Sequence, residues 1–122
     1  MHELSVCQAL VRQVESVMQE HGARAATGIR LLVGPLSGVE PALLQGAFPL
    51  AAAGTGVEGA RLAIESPALR VACASCGTQS EALPNRLVCG ACGDWHTRIV
   101  SGDELTLASV DLVIDREEAS HV

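Results

Sequence analysis

The sequence predicts an α+β fold, in which two helices and a small β-sheet form a body that carries an inserted four-cysteine module. Three observations predict it: an amphipathic segment opens the chain, segments of alternating polarity follow, and two cysteine pairs interrupt them. A chain of 122 residues fits one domain, or one domain carrying a small module. The hydrophobic fraction of 48% is enough for a core, and only 2% of the residues are aromatic, so that core is aliphatic.

Two helices are predicted in the first half of the chain. In residues 3–20 the apolar side chains recur at helical spacing. They are Leu4, Cys7, Val11, Val14 and Met18. Gly22 follows as a natural C-cap. A second helix is expected to begin near Pro41, which suits a first turn. Because Gly46 and Pro49 interrupt its pattern, we expect a kink or an early stop.

Alternating polarity predicts three strands. They cover Thr27–Gly34, Ala60–Glu65 and Leu105–Ile114. The apolar phase slips within the third strand, which predicts a bulge near Ala108. Residues 70–100 show little periodicity, and we expect the tail from Arg116 to be frayed.

Composition disfavours several classes of partner. The formal net charge is −6, and the eight basic residues, all Arg, do not cluster. With two aromatic residues besides, the chain offers neither the basic patch nor the stacking platform that nucleic acids require. No apolar run approaches the ~20 residues of a membrane span, and the first residues do not resemble a signal peptide. We therefore expect a cytoplasmic protein without nucleic-acid or membrane partners.

Four cysteines form two C-x-x-C pairs, Cys73/Cys76 and Cys89/Cys92, each followed by glycine. Two such turns facing each other supply the tetrahedral set of four thiolates that zinc prefers, and glycine permits the left-handed backbone that each turn needs. All four ligands come from the protein, so the expected zinc is structural. A rubredoxin-like iron site has the same ligands, but aromatic side chains usually shield it and only Trp95 is available. A redox disulfide explains one pair and not two.

The second residue of the chain is a histidine, and at this position it can bind a metal together with the chain terminus. Methionine removal generally requires a small second residue, so Met1 is expected to stay. The α-amine, a peptide nitrogen and the His2 imidazole then close fused chelate rings that favour square-planar Ni(II) or Cu(II). One coordination position is left over, for Glu3 or another donor. The alternative is that His2 is simply an exposed terminal residue.

The other histidines and the fifth cysteine have simpler interpretations. Cys7 lies on the apolar stripe of the first helix, as a small core residue does. His21 falls at a helix end and His121 in the tail. His96, just beyond the second cysteine pair, either supports the zinc ligands or contributes to a second metal site.

Five segments together resemble the HypA/HybF family of nickel-insertion accessory proteins for [NiFe]-hydrogenase maturation. They are Met1–Glu3, Gly34–Pro41, Glu58–Leu62, the two cysteine pairs, and Ser101–Leu105. The resemblance runs almost from end to end of the chain. It departs where Phe48 is followed by Pro49, because family sequences usually carry an acidic residue there.

The resemblance implies a nickel metallochaperone without catalytic turnover. Nickel is then bound by the Met1 amine and His2 with Glu3 beside them, and Glu40 matches a family acidic position near that site. His96 lies in a region that approaches nickel in some members. Zinc is then held by the four cysteines, Cys73, Cys76, Cys89 and Cys92. The implied partners are a nickel-handling GTPase and the hydrogenase large subunit, and the chain is expected to be a monomer or a weak homodimer.

The expected organisation is a nickel-binding body of residues 1–70 and 101–122 with a zinc-binding module of residues 71–100. The competing hypothesis is a zinc-ribbon interaction module without nickel function, in which His2 is incidental. An enzyme is the weakest hypothesis, because no nucleophile–base pair, phosphate-binding loop or open metal site is visible in the sequence.

Overall fold

The computed structural model describes residues 2–114. In this part of the chain it contains two helices and six strands. In chain order they are α1 (His2–His21), β1 (Ala23–Val33), α2 (Pro41–Ala52), β2 (Arg61–Glu65), β3 (Arg70–Cys73), β4 (Gln79–Glu81), β5 (Thr97–Ser101) and β6 (Leu105–Ile114). The predicted α+β fold with two helices is confirmed. The tail from Arg116 and His121 lie outside the described residues, so the predictions for them stay predictions.

Helix α1 forms as the periodicity predicts, with one more residue at each end. Its buried apolar residues lie on one face. They are Cys7, Leu10, Val11, Val14 and Met18. The helix ends at Gly22, whose φ of 63° is left-handed and whose N–H bonds to the Gln19 carbonyl at 3.3 Å.

Helix α2 does not stop early, so of the two expected outcomes the early stop was wrong, while the kink stays a prediction. It runs for 12 residues through both Gly46 and Pro49. The residues that hold it, Leu44, Phe48 and Ala52, are buried at intervals of four. Burial of this stripe outweighs the hydrogen bond that Pro49 cannot donate, which is how tertiary packing commonly overrides helix propensity.

The chain divides into two compact units. Within the described residues, the first unit comprises 2–31, 40–63 and 107–114, and the second comprises 32–39 and 64–106. In the first unit, α1 and α2 pack together, and the Cys7 thiol donates to the Leu44 carbonyl at 3.5 Å. Cys7 is fully buried there, so it is a core residue as predicted. None of the helices in residues 2–114 combines the length and hydropathy that a bilayer crossing requires.

One three-stranded sheet has the order β2-β1-β6. All three predicted strands are present, as β1, β2 and β6, but β1 begins at Ala23 rather than at Thr27. The early part of β1 consists of three alanines and Arg24, which give little apolar alternation to detect. The predicted bulge near Ala108 stays a prediction.

A second sheet has the order β4-β3-β5, with β3 antiparallel to both neighbours. These strands are three to five residues long and carry few large apolar side chains, which is why periodicity did not detect them. The predicted module, residues 71–100, lies wholly within the second unit. Its assignment to zinc stays a prediction.

In the second unit, a close approach of two glycines joins the Gly34–Pro41 and Ser101–Leu105 segments. The Gly34 N–H donates to the Glu104 carbonyl at 2.8 Å, and the Leu36 N–H donates to the Gly102 carbonyl at 2.7 Å. Gly102 has a left-handed φ of 112° and lies against Leu69, where a side chain has no room. Two of the five segments that carry the family resemblance therefore form one backbone junction.

Candidate metal centre

The two C-x-x-C turns adopt the same local structure. In the first, the N–H groups of Ser75 and Cys76 donate to the Cys73 sulfur at 3.3 and 3.4 Å. In the second, those of Ala91 and Cys92 donate to the Cys89 sulfur at the same distances. Gly77 and Gly93 each have a φ of 76°. These N–H groups stabilise negative charge on sulfur, as a thiolate ligand needs.

The four cysteine sulfurs converge on one point. All lie within 4.8 Å of one another, and the pairs Cys73–Cys92 and Cys76–Cys89 are both 3.6 Å apart. Two sulfurs each ~2.3 Å from a tetrahedral zinc lie ~3.8 Å apart, so the donor set fits that ion. Cys73 and Cys89 are buried, whereas Cys76 and Cys92 are exposed.

The thiols influence one another's protonation. Hydrogen bonds from the Thr78 hydroxyl and backbone lower the pKa of Cys76 to about 6. A hydrogen bond from the Asp94 backbone lowers the pKa of Cys92. The neighbouring sulfurs, chiefly that of Cys73, and desolvation have the larger combined effect and raise this pKa to about 12. Four thiolates in contact therefore do not all form without a compensating cation. A divalent ion supplies that compensation, because metal binding stabilises the deprotonated ligands.

Asp94 connects the first cysteine turn to an exposed imidazole. Its carboxylate accepts from the Ser75 hydroxyl, and its Oδ1 atom contacts the His96 backbone nitrogen at 3.0 Å and ring Nδ1 at 2.8 Å. The hydrogen bond from the Ser75 hydroxyl has the largest effect on Asp94 and lowers its pKa, and the His96 contacts lower it further. His96 also stacks on Trp95, whose side chain is 71% exposed, with ring centroids 3.8 Å apart. His96 is thus held in one orientation beside the cysteine cluster.

At the start of α1, the structure brings three of the predicted nickel residues together. The His2 imidazole is 60% exposed, and its Nε2 lies 3.1 Å from Oε2 of Glu3, whose side chain is 7% exposed. The backbone of Glu40, at the N-cap of α2, hydrogen-bonds to the Glu3 carboxylate. Met1 lies outside the described residues, and His96 belongs to the other unit.

Burial and hydrogen bonding act in opposite directions on Glu3. Desolvation raises its pKa, but backbone hydrogen bonds from Glu3 and Glu40 and the charge of His2 outweigh that effect, so the pKa lies below its ordinary value of 4.5. The carboxyl is therefore ionised at neutral pH.

Sequence reasoning missed several residues that support the cysteine cluster. Thr78, Ser75 and Asp94 were not singled out, because short polar residues in a loop give no periodic signal. Their regular placement was visible: Thr78 and Asp94 each stand two residues beyond the second cysteine of a pair. Each accepts the backbone N–H of the first cysteine of its own pair, at 3.0 and 2.9 Å.

Known proteins are similar to this chain in sequence over nearly its whole length. The family model for HypA, the hydrogenase/urease nickel incorporation metallochaperone, matches residues 1–112. The hydrogenase maturation factor HypA of Nitrosospira multiformis is 51% identical over 113 residues, covering 93% of this chain and 98% of that protein. That of Aquifex aeolicus is 38% identical over 115 residues, covering 94% and 100%.

Solved structures agree in fold. The solution structure of the Ni metallochaperone HypA from Helicobacter pylori aligns with a TM-score of 0.69 and 22% identity, covering 93% of this chain and 98% of that one. A second HypA solution structure gives a TM-score of 0.71 at 23% identity. With a family model spanning residues 1–112 and relatives of up to 51% identity, the chain belongs to the HypA family of nickel-incorporation metallochaperones for hydrogenase maturation.

Proposed function

We propose that this chain carries Ni(II) for [NiFe]-hydrogenase maturation and binds it at its first residues. The proposed donors are the Met1 amine, the peptide nitrogen of His2 and the His2 imidazole. One observation carries the proposal: the His2 imidazole is exposed at the start of α1 and contacts a buried, ionised carboxylate. A carboxylate bound to the far side of an imidazole is the usual support of a metal-ligating histidine.

An exposed terminal site suits a carrier. A metallochaperone must release its metal, and an acceptor's ligands reach an open edge more easily than a closed cage. We propose that nickel moves by stepwise ligand exchange, first with a nickel-handling GTPase and then with the hydrogenase large subunit. The cytoplasm fits this role, because closely spaced thiols stay reduced there and remain able to hold metal.

The remaining coordination position has two further candidates. The side chain of Glu40 is exposed, and its backbone already lies at the site. His96 has its Nδ1 engaged by Asp94, so Nε2 is the atom it would offer to a metal. We propose both as occasional ligands, secondary to His2.

We propose that Cys73, Cys76, Cys89 and Cys92 hold a structural zinc that folds residues 71–100. The sulfur spacing and the repeated N–H···S bonds support this. The segment is too small to maintain a hydrophobic core of its own. Replacing Cys76 by Ser is expected to reduce zinc to near zero while the α-helical circular dichroism largely persists. Full zinc retention in that variant contradicts the assignment.

A terminal extension tests the nickel donors directly. Adding a short uncleaved peptide before Met1 removes the free amine, so nickel binding measured by calorimetry is expected to be lost while zinc stays bound. The same peptide added after Val122 is the matched control and leaves both metals bound. Equal nickel affinity with either extension refutes a role for the terminal amine. Nickel binding unaffected by His2→Ala favours the alternative zinc-ribbon interaction module.

A further inference from the structure

A groove crosses the outer side of the sheet β2-β1-β6, within the first unit. Its volume is about 500 Å³, and all three strands contribute residues to its lining. The buried side chains of these strands, such as Leu31 and Leu62, alternate with the lining residues and face the core. A volume of this size falls within the ~300–1,000 Å³ of ordinary binding sites. The groove therefore has room for a ligand.

The floor of the groove is open because its residues are small. Gly28 lies on the central strand, and Ala63 and Ser109 line the groove from the two outer strands. A Cβ added at Gly28 would lie 2.6 Å from Oδ2 of Asp111, so glycine leaves room for that carboxylate. The Thr27 hydroxyl donates to the Asp111 carbonyl at 3.4 Å. The Asp111 carboxylate thus lies over the central strand.

Two side chains of opposite charge line the groove without pairing with each other. Arg61 belongs to β2 and Asp111 to β6, so β1 lies between them and their backbones are ~10 Å apart. Both residues are exposed, and within residues 2–114 neither takes part in an ion pair. Arg30, on the central strand, also lines the groove. A guanidinium and a carboxylate are therefore both available to one ligand.

These charges favour a ligand that carries charges of both signs. A phosphate or another plain anion is attracted by the guanidinium groups but repelled by Asp111. In an extended peptide, side chains two residues apart lie on one face at ~6.6 Å, and the long Arg61 side chain spans the remaining distance. An acidic and a basic side chain at this spacing therefore complement Arg61 and Asp111.

We propose that this groove docks an extended segment of a partner protein in which an acidic and a basic side chain stand two residues apart. Arg61 donates to the acidic side chain, a contact that a guanidinium makes with two parallel hydrogen bonds. Asp111 accepts from the basic side chain, and the small residues of the floor admit the backbone between them. The groove is lined by none of the proposed metal donors, so the proposal goes beyond nickel carriage and is independent of it.

The first test is an NMR titration of zinc-loaded, nitrogen-15-labelled protein with the blocked peptide acetyl-Gly-Glu-Thr-Lys-Gly-amide. Saturable shifts are expected at the Arg61 Nε–H group and at the backbone amides of Gly28 and Ser109, and none with acetyl-Gly-Gln-Thr-Gln-Gly-amide. Arg61→Gln and Asp111→Asn should each weaken binding about two- to fivefold, the usual range for an exposed charge pair. Arg12→Gln, exposed on α1, is the matched control and leaves the affinity unchanged. No saturable shift in wild type, or an unchanged affinity in Arg61→Gln, overturns the proposal.

Two further titrations exclude other occupants. If inorganic phosphate produces the same shifts with equal or higher affinity, the groove binds simple anions and the proposal fails. Protein diluted without peptide should keep constant shifts at Gly28 and Ser109. Shifts that change with protein concentration identify a second copy of the chain as the occupant, which also contradicts the proposal.

Nickel binding separates this groove from the proposed nickel site. Arg61→Gln should bind nickel as wild type does, and His2→Ala should bind the peptide as wild type does. Peptide binding that fails while nickel binding persists overturns only the docking groove. Loss of peptide binding in His2→Ala places the peptide at the start of α1 and overturns the groove as its site.

Discussion

Replacing Gly34 by alanine tests the backbone junction in the second unit. An added Cβ would lie 2.8 Å from the backbone nitrogen of Asp103 and still closer to the Gly102 carbonyl, whereas ordinary contacts begin at 3.4 Å. Because the neighbours are backbone atoms, neither segment can yield by changing a rotamer. The two segments must separate, which weakens the bonds from Gly34 to Glu104 and from Leu36 to Gly102.

The expected cost of Gly34→Ala follows from these contacts. Two weakened backbone hydrogen bonds contribute about 1–3 kcal/mol, and overpacking adds a further 1–3 kcal/mol. We therefore expect the free energy of unfolding, from urea titration of zinc-loaded protein, to fall by about 2–6 kcal/mol. Gly46→Ala is the matched control: its Cβ meets nothing within 4 Å in helix α2. It should stabilise the protein by about 0.5–1 kcal/mol. A loss below about 0.5 kcal/mol in Gly34→Ala, as at an ordinary surface site, would show that the two segments are not tightly packed at Gly34.

Three further predictions concern the first unit, which contains both helices. Leu44→Ala, at a fully buried position, should lower the free energy of unfolding by about 2–5 kcal/mol in urea titration, and a loss below 1 kcal/mol contradicts the packing described. Pro49→Ala should raise the melting temperature, because Pro49 lies exposed inside α2 and donates no backbone hydrogen bond; a lower melting temperature contradicts this. The pKa of Glu3 in the folded state lies below its ordinary value of 4.5. The ionised carboxylate therefore stabilises the folded protein above pH 4.5, and this stabilisation is lost as the pH falls through the folded-state pKa. The stability difference between wild type and Glu3→Gln should accordingly shrink in acid, and a difference independent of pH argues against an ionised Glu3.

The helices show where sequence periodicity is informative. The stripe of α1 predicted most of its buried face: Cys7, Val11, Val14 and Met18 are buried, whereas Leu4, in the first turn, is exposed. The end of α2 was mispredicted because Gly46 and Pro49 lower helix propensity locally, while the buried Leu44 and Phe48 stabilise the helix through packing. A single sequence shows propensity directly and shows packing only after the partner surface is known.

The two candidate sites differ in how much the sequence revealed. The four cysteines were found from spacing alone, because C-x-x-C turns have one geometry that the chain repeats. The contact of Glu3 with Glu40 joins residues far apart in the chain and depends on how α1 packs on α2. Likewise, the link from Ser75 through Asp94 to His96 depends on the two cysteine turns facing each other.

Metal analysis distinguishes a nickel carrier from a protein that binds zinc alone. It is made on protein with a free N-terminus, after incubation with nickel and removal of unbound ions. Wild type is expected to hold about one zinc, as one closed set of four thiolates requires, and about one nickel. His2→Ala should keep the zinc and lose the nickel. Nickel retained in His2→Ala at the wild-type level excludes a nickel site that depends on His2.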